Sequence, residues 1–172
     1  RVVMITGDAP RTALAIARHA GLHDGEPMTV LSGSQVAALD DAALEETMSR
    51  TAICARITPE QKLRIVRALQ RRGEVVAMTG DGVNDAAALR AADIGVAMGE
   101  RGTDVAREAA SLVLLDDSFA SLVAAVRMGR RIFLNLKKSV GYLLAVHVPI
   151  VGVALIPVLI GGPQLLLPLH VV

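Results

Sequence analysis

Residues 139–172 contain no Asp, Glu, Lys or Arg, although the 172-residue chain carries 18 Lys+Arg and 17 Asp+Glu. All of that charge lies at or before Lys138, so no ordinary water-facing domain extends to the last residue. As a helix, residues 139–160 would span about 33 Å at ~1.5 Å per residue, enough for a hydrocarbon core of about 30 Å. Arg127, Arg130, Arg131, Lys137 and Lys138 flank the stretch on one side, which puts them and everything before them in the cytoplasm. Pro149 and Pro157 should kink or open this span, and Gly161, Gly162 and Pro163 should turn the chain into a second one from Leu165. A hydrophobic hairpin inside a globular core is the competing reading, and the uncharged length with its one-sided basic flank favours the membrane.

Ahead of this tail, short apolar runs alternate with helical patterns, the signature of βα units and a mostly parallel sheet. Strands are expected at residues 2–6, 52–55, 75–79, 94–97 and 112–115, and helices at 11–20, 59–72, 83–91 and 103–109. Thr58 and Gln61 have capping-box spacing, Pro59 suits the first helical position, and Gly73 ends the helix. Residues 21–50 read as a peripheral insertion with turns at 25–27 and 32–34 and an acidic helix near 40–48. Leu122, Val123, Val126, Ile132, Phe133 and Leu136 mark the apolar side of a basic stalk helix. The expected divisions are therefore 1–117, 118–138 and 139–172. With Arg1 first and a strand beginning at once, the chain reads as part of something longer. A net charge of +1 argues against a nucleic-acid partner, and one cysteine, Cys54, allows no internal disulfide.

Two strands end alike, in Thr6-Gly7-Asp8 and Thr79-Gly80-Asp81. In an open parallel sheet the ligand crevice lies beyond the carboxyl ends of the strands, where these hydroxyls, amides and carboxylates could converge. The plainer reading is two tight turns in which Asp caps the next helix. The second segment continues Gly82-Val83-Asn84-Asp85, so Asp81, Asn84 and Asp85 can face one crevice, and hard oxygen donors there suit Mg²⁺. Lys62 adds a point charge for phosphate, or is a solvated surface lysine. Arg56 could do likewise, or pair locally. A sheet-end Thr, a Lys, two Asp and an Asn together describe phosphoryl transfer. No activated Ser or Cys, and no further strand-end Asp followed by a phosphate-cradling turn, supplies a nucleophile.

Residues 75–99, with Met78-Thr79-Gly80-Asp81-Gly82-Val83-Asn84-Asp85 and Ala91-Ala92-Asp93-Ile94-Gly95-Val96-Ala97-Met98-Gly99, followed by Gly102-Thr103-Asp104-Val105-Ala106, resemble the hinge region of P-type cation-transporting ATPases. These are members of the haloacid dehalogenase superfamily. Thr58-Pro59-Glu60-Gln61-Lys62, Ala55-Arg56 and Thr6-Gly7-Asp8 match further family segments in order. The implied fold is α/β, a partial Rossmann-like parallel sheet of the haloacid dehalogenase type, followed by a stalk helix and transmembrane helices. The resemblance implies Mg²⁺ on Asp81, contact of Lys62 and Thr6 with the transferring phosphoryl group, completion of that site by Asn84 and Asp85, and ATP against Gly7, Asp8 and Arg56. It further implies a multi-pass protein of the plasma (inner) membrane, with residues 1–138 cytoplasmic. Its partners would be ATP, a transported cation, the lipid bilayer and the other domains of a parent pump. The family's phosphorylated Asp-Lys-Thr-Gly-Thr segment is absent from these residues, so the chain by itself is expected to be inactive.

The stalk and residues 139–160 would correspond to the family's fifth transmembrane helix. Aligning Tyr142 with the tyrosine common there puts His147 where calcium and sodium-potassium pumps often have Asn, and Ile150 where they have an ion-binding Glu. Selectivity for those ions is therefore not carried over. His147 is a candidate for the ion path, or else makes an interhelical hydrogen bond. His19, His23 and His170 show no ligand spacing. A soluble phosphatase of the same superfamily and a non-catalytic membrane-anchored partner domain are the other classes; the charge-free tail disfavours the first.

Overall fold

The computed structural model describes residues 1–22 and 29–161; His23, the turn expected at 25–27, His170 and the second span from Leu165 lie outside them. Residues 1–118 form one compact unit and residues 119 onward another. In the first unit, strands β1 (Met4–Ile5), β2 (Val30–Ser32) and β3 (Ile53–Ala55) pair in the order β1-β3-β2, and β4 (Ala77–Gly80), β5 (Ile94–Met98) and β6 (Leu112–Leu114) in the order β4-β5-β6. Every pairing is parallel. The expected parallel α/β arrangement is thus present, divided between two sheets. The central strands explain themselves: Ile53, Cys54 and Ala55 of β3 are buried without exception, as are Gly95, Val96, Ala97 and Met98 of β5, the continuous apolar run that a parallel strand covered on both faces requires.

Among the described residues, helices α1 (Pro10–His19), α2 (Gly33–Ala38), α3 (Asp41–Met48), α4 (Pro59–Arg71), α5 (Ala86–Ala91) and α6 (Asp104–Ala109) accompany these strands. α4 forms as its sequence dictates. The Thr58 hydroxyl accepts from Gln61 N–H, the Gln61 side chain returns to the Thr58 amide, and Gly73 follows at φ 80°. Its Ile65 and Leu69 enter a core with Leu31, Val36, Leu44, Met48 and Cys54. Its Val66 enters another with Met78, Ala88, Leu89, Ala97 and Ala106. One amphipathic helix therefore packs on the core of each sheet, which fixes where its first turn, carrying Lys62, must lie.

Two expectations need correction. Residues 30–48 are not a peripheral insertion, because β2 pairs with β3 at Val30↔Ile53, Leu31↔Cys54 and Ser32↔Ala55, and Val36, Leu44 and Met48 are fully buried. A three-residue strand is too short to show an alternating pattern. Ser32 and Gln35 nevertheless form a second capping box, at the spacing that marks a helix start. Residues 83–91 are likewise not one helix but a 3₁₀ turn, Val83–Asp85, leading into α5.

The turn that enters β4 depends on Asp93. Its carboxylate accepts from the Val76 amide at 2.8 Å and from Gln70 at 3.2 Å, which holds its pKa below the usual carboxylate value. A depressed folded-state pKa means stability that is present above the unfolded pKa of about 3.9 and lost as pH falls through the folded value. Asp93→Asn is therefore expected to flatten the decline in stability below about pH 4. Denaturant midpoints measured across that range check this; an unchanged slope would contradict it.

In the second unit α7 (Phe119–Leu159) is a continuous 41-residue helix that runs through both Pro149 and Pro157, so stalk and first span are one element. It is long and apolar enough to cross a membrane, with an 18-residue window of mean hydropathy 2.1.

Candidate phosphate and metal site

Two groups of the expected residues meet at carboxyl ends of strands. After β1, the Thr6 hydroxyl accepts from the Asp8 amide and donates to the Asp8 carboxylate, both at 3.1 Å. After β3, the Arg56 amide donates to the Asp8 carbonyl at 3.0 Å and the Ile57 amide to the Thr6 carbonyl at 3.1 Å. Arg56 takes φ 53°, a left-handed conformation uncommon for a residue with a side chain. Thr6, Gly7, Asp8 and Arg56 thus share one knot, with the Arg56 and Asp8 side chains exposed.

The second group joins α4 to the end of β4. Lys62 Nζ donates to Asp85 Oδ1 at 2.6 Å, and the two side chains are only 16% and 10% exposed. The reading of Lys62 as a solvated surface lysine is therefore wrong. The other Asp85 oxygen accepts from Gly82 N–H at 3.4 Å. Gly80 makes room for this pair: a Cβ there would stand 2.6 Å from the Asp85 Cβ and 2.9 Å from its carboxyl carbon. Asp81, Asn84 and Asp85 do not share one environment as expected. Asp85 turns inward to Lys62, whereas Asp81 and Asn84 are exposed. Neither Thr-Gly-Asp aspartate caps the following helix, since α1 is entered through Ala9 and the 3₁₀ turn through Gly82.

Among the described residues the Asp81 carboxylate has no hydrogen-bond or ion-pair partner, and no three His, Cys, Asp or Glu cluster as a metal cage. A lone outward carboxylate fits Mg²⁺, which keeps several waters and is held by one or two carboxylates together with substrate phosphates. Sequence reasoning missed the partner that fixes Asp81 itself. The Thr103 amide donates to the Asp81 carbonyl at 2.8 Å, a contact across 22 residues that no local pattern announces. Cys54 is fully buried with its thiol pKa pushed up to about 12 by desolvation, and so is the inert core residue expected. His147, in the second unit, donates from Nδ1 to the Leu143 carbonyl one turn earlier at 2.8 Å, a bond within its own helix.

This geometry has recognisable company. The family model for haloacid dehalogenase-like hydrolases matches residues 1–93. Calcium-transporting ATPase 1 of Yarrowia lipolytica is 46% identical over 99% of the chain, and a calcium-transporting ATPase of Listeria monocytogenes is 52% identical over 84% of it. The chain spans only 18% and 16% of those relatives' lengths. The solved structure of a zinc-transporting PIB-type ATPase in its E2.Pi state matches 94% of the chain and 21% of its own, at 30% identity and a TM-score of 0.64. The chain belongs to the haloacid dehalogenase-like hydrolase family, and within it to the P-type cation-transporting ATPases, of which it corresponds to one segment.

Proposed function

We propose that this chain is the part of an ATP-driven cation pump that supplies the Mg²⁺- and phosphate-binding residues of its phosphorylation site, and that α7 links this site to ion sites in the membrane. The observation that carries the reading is the division of labour after β4: Asp85 is committed to Lys62, and the Asp81 carboxylate is left outward with no hydrogen-bond or ion-pair partner among the described residues. Asp81 would hold Mg²⁺, which when bound neutralises phosphate charge. Lys62, anchored by Asp85, presents its remaining ammonium hydrogens to the transferring phosphoryl group, joined by the Thr6 hydroxyl and Asn84. Gly7, Asp8 and Arg56 meet ATP. The phosphorylated Asp and the remaining domains belong to other segments of the parent protein, a multi-pass protein of the plasma (inner) membrane with residues 1–138 in the cytoplasm. Labelling the full-length protein with ATP and Mg²⁺ tests this: it should form a hydroxylamine-sensitive acyl-phosphate.

The transported species is proposed only as a cation. The relatives named above as calcium-transporting are calcium pumps by name, but α7 contains no Asp or Glu and has Ile at position 150. Any carboxylate at an ion site would therefore come from another segment. His147 donates through Nδ1, which leaves the Nε2 lone pair available to a proton or a cation. His147→Ala in the full-length pump is expected to shift the half-saturating cation concentration for ATP turnover and to leave phosphoenzyme formation at saturating cation near wild type. Unchanged cation dependence would reduce His147 to its bond with Leu143.

A further inference from the structure

The five residues Gly99–Thr103 between β5 and α6 form a strap whose polar backbone groups are taken up by two charged side chains. From the segment after β6, Asp117 accepts from the Glu100 amide at 3.1 Å and the Arg101 amide at 2.9 Å, and pairs with the Arg101 guanidinium at 3.1 Å. From α6, Arg107 donates to the Gly99 carbonyl at 2.9 Å and also to the Gly102 carbonyl and the Asp104 carboxylate. Gly99 is tied to β6 through its amide, which donates to the Leu114 carbonyl at 2.8 Å. Gly102 is buried so tightly that a Cβ would lie 1.9 Å from the Met98 carbonyl oxygen. The strap's far end is the Thr103 amide, which donates to the Asp81 carbonyl.

Asp81 lies just past the end of β4, outside the β4–β5 ladder, whose last paired residue is Gly80. Its backbone is consequently held by the strap and not by the sheet. Asp117 keeps its place although it adopts φ 49°, and although burial opposes its charge. The Arg101 and Glu100 amides with the Arg101 guanidinium outweigh that burial and hold its pKa below the ordinary carboxylate value.

We propose that Arg107 and Asp117 are positioning residues for Mg²⁺ binding: they set the strap so that the Thr103 amide holds the main chain of Asp81, and with it the direction of the Asp81 carboxylate. The proposal rests on the reading of Asp81 as the Mg²⁺ ligand. Outer residues that orient a metal ligand are worth 10–100-fold in metal affinity as a rule, so the effect should be large enough to read. Asp117 also lies two residues before the start of α7 at Phe119, so the strap ties the Asp81 backbone to the chain that leads into the stalk.

The test uses the full-length protein and measures phosphoenzyme formation from ATP as Mg²⁺ is varied. Thr103 serves two purposes: its amide holds Asp81, and its hydroxyl caps α6 by accepting from the Ala106 amide at 3.3 Å. Thr103→Ala removes the cap alone and is expected to keep the wild-type Mg²⁺ half-saturation. Thr103→Pro removes the amide hydrogen as well, at a residue whose φ of −70° suits proline. It and Arg107→Met are expected to raise half-saturating Mg²⁺ about 10-fold while phosphorylation at saturating Mg²⁺ stays near wild type. Asp117→Asn, which keeps one acceptor oxygen, is expected to fall between. Hydrogen exchange supplies a readout independent of turnover: protection of the Thr103 amide, which donates to the Asp81 carbonyl, should drop in Arg107→Met, while protection across the β4–β5 ladder persists. Wild-type Mg²⁺ half-saturation in folded Arg107→Met and Asp117→Asn proteins would overturn the proposal alone. A wild-type protein that forms no acyl-phosphate would overturn the reading of the site and the proposal with it.

Discussion

Asp81→Ala in the full-length protein is expected to slow phosphoenzyme formation from ATP by at least about 1000-fold, since metal stabilisation of phosphoryl charge contributes several kcal/mol and each 1.36 kcal/mol is about tenfold in rate. The same substitution should leave folding almost untouched. The residue is exposed and its carboxylate has no hydrogen-bond or ion-pair partner among the described residues, and such surface changes stay within about 0.5 kcal/mol. The two measurements separate the readings of this residue. A helix-capping or fold-stabilising Asp81 would lose stability first and activity with it. Quench-flow labelling with ATP, paired with a denaturant melt of the same preparation, decides between them.

Lys62 should behave in the opposite way, losing stability and chemistry together. Lys62→Met leaves the Asp85 carboxylate, 10% exposed, without its ammonium partner. Removing one member of a buried pair costs on the order of 3 kcal/mol. Gly80 lies against the Asp85 side chain, so the stranded carboxylate has little room to turn elsewhere. Adding Asp85→Asn should recover most of that stability, because the charge that needed compensation is gone, yet should restore no phosphorylation, because the cation facing phosphate is still missing. Equal melting of Lys62→Met and wild type would show that the pair is not buried as described. Recovery of phosphorylation in the double variant would remove Lys62 from the site.

Both expectations depend on contacts that differ in how far the sequence reveals them. The first turn of α4 was legible because its information is local: Thr58, Pro59 and Gln61 lie within four residues and satisfy the helix end by themselves. The Thr-Gly-Asp strand ends were legible for the same reason, as apolar runs that stop at turn residues. β2 and α2 are harder to see although Ser32 and Gln35 carry the same capping signature. That signal is local, but the three-residue strand before it has too few positions to show a period. The Lys62–Asp85 pair joins residues 23 apart and depends on α4 packing against both cores, which no local pattern contains. The strap is harder still, since Arg107 binds backbone carbonyls and Asp117 backbone amides, and neither leaves a trace in residue identity. The tail is the reverse case, because the absence of charge over residues 139–172 is a property of the sequence itself. It requires no knowledge of packing.

The chemistry of the phosphorylated product is the most direct test of the site. Full-length protein incubated with γ-labelled ATP and Mg²⁺ should acquire acid-stable label that hydroxylamine removes, as an aspartyl phosphate requires, and cation should change its level. The 172-residue chain alone, which lacks the Asp-Lys-Thr-Gly-Thr segment, should acquire none. Hydroxylamine-sensitive label on the isolated chain, or label on the full-length protein that resists hydroxylamine, would contradict the assignment of these residues to the Mg²⁺- and phosphate-binding side of an aspartyl-phosphate site.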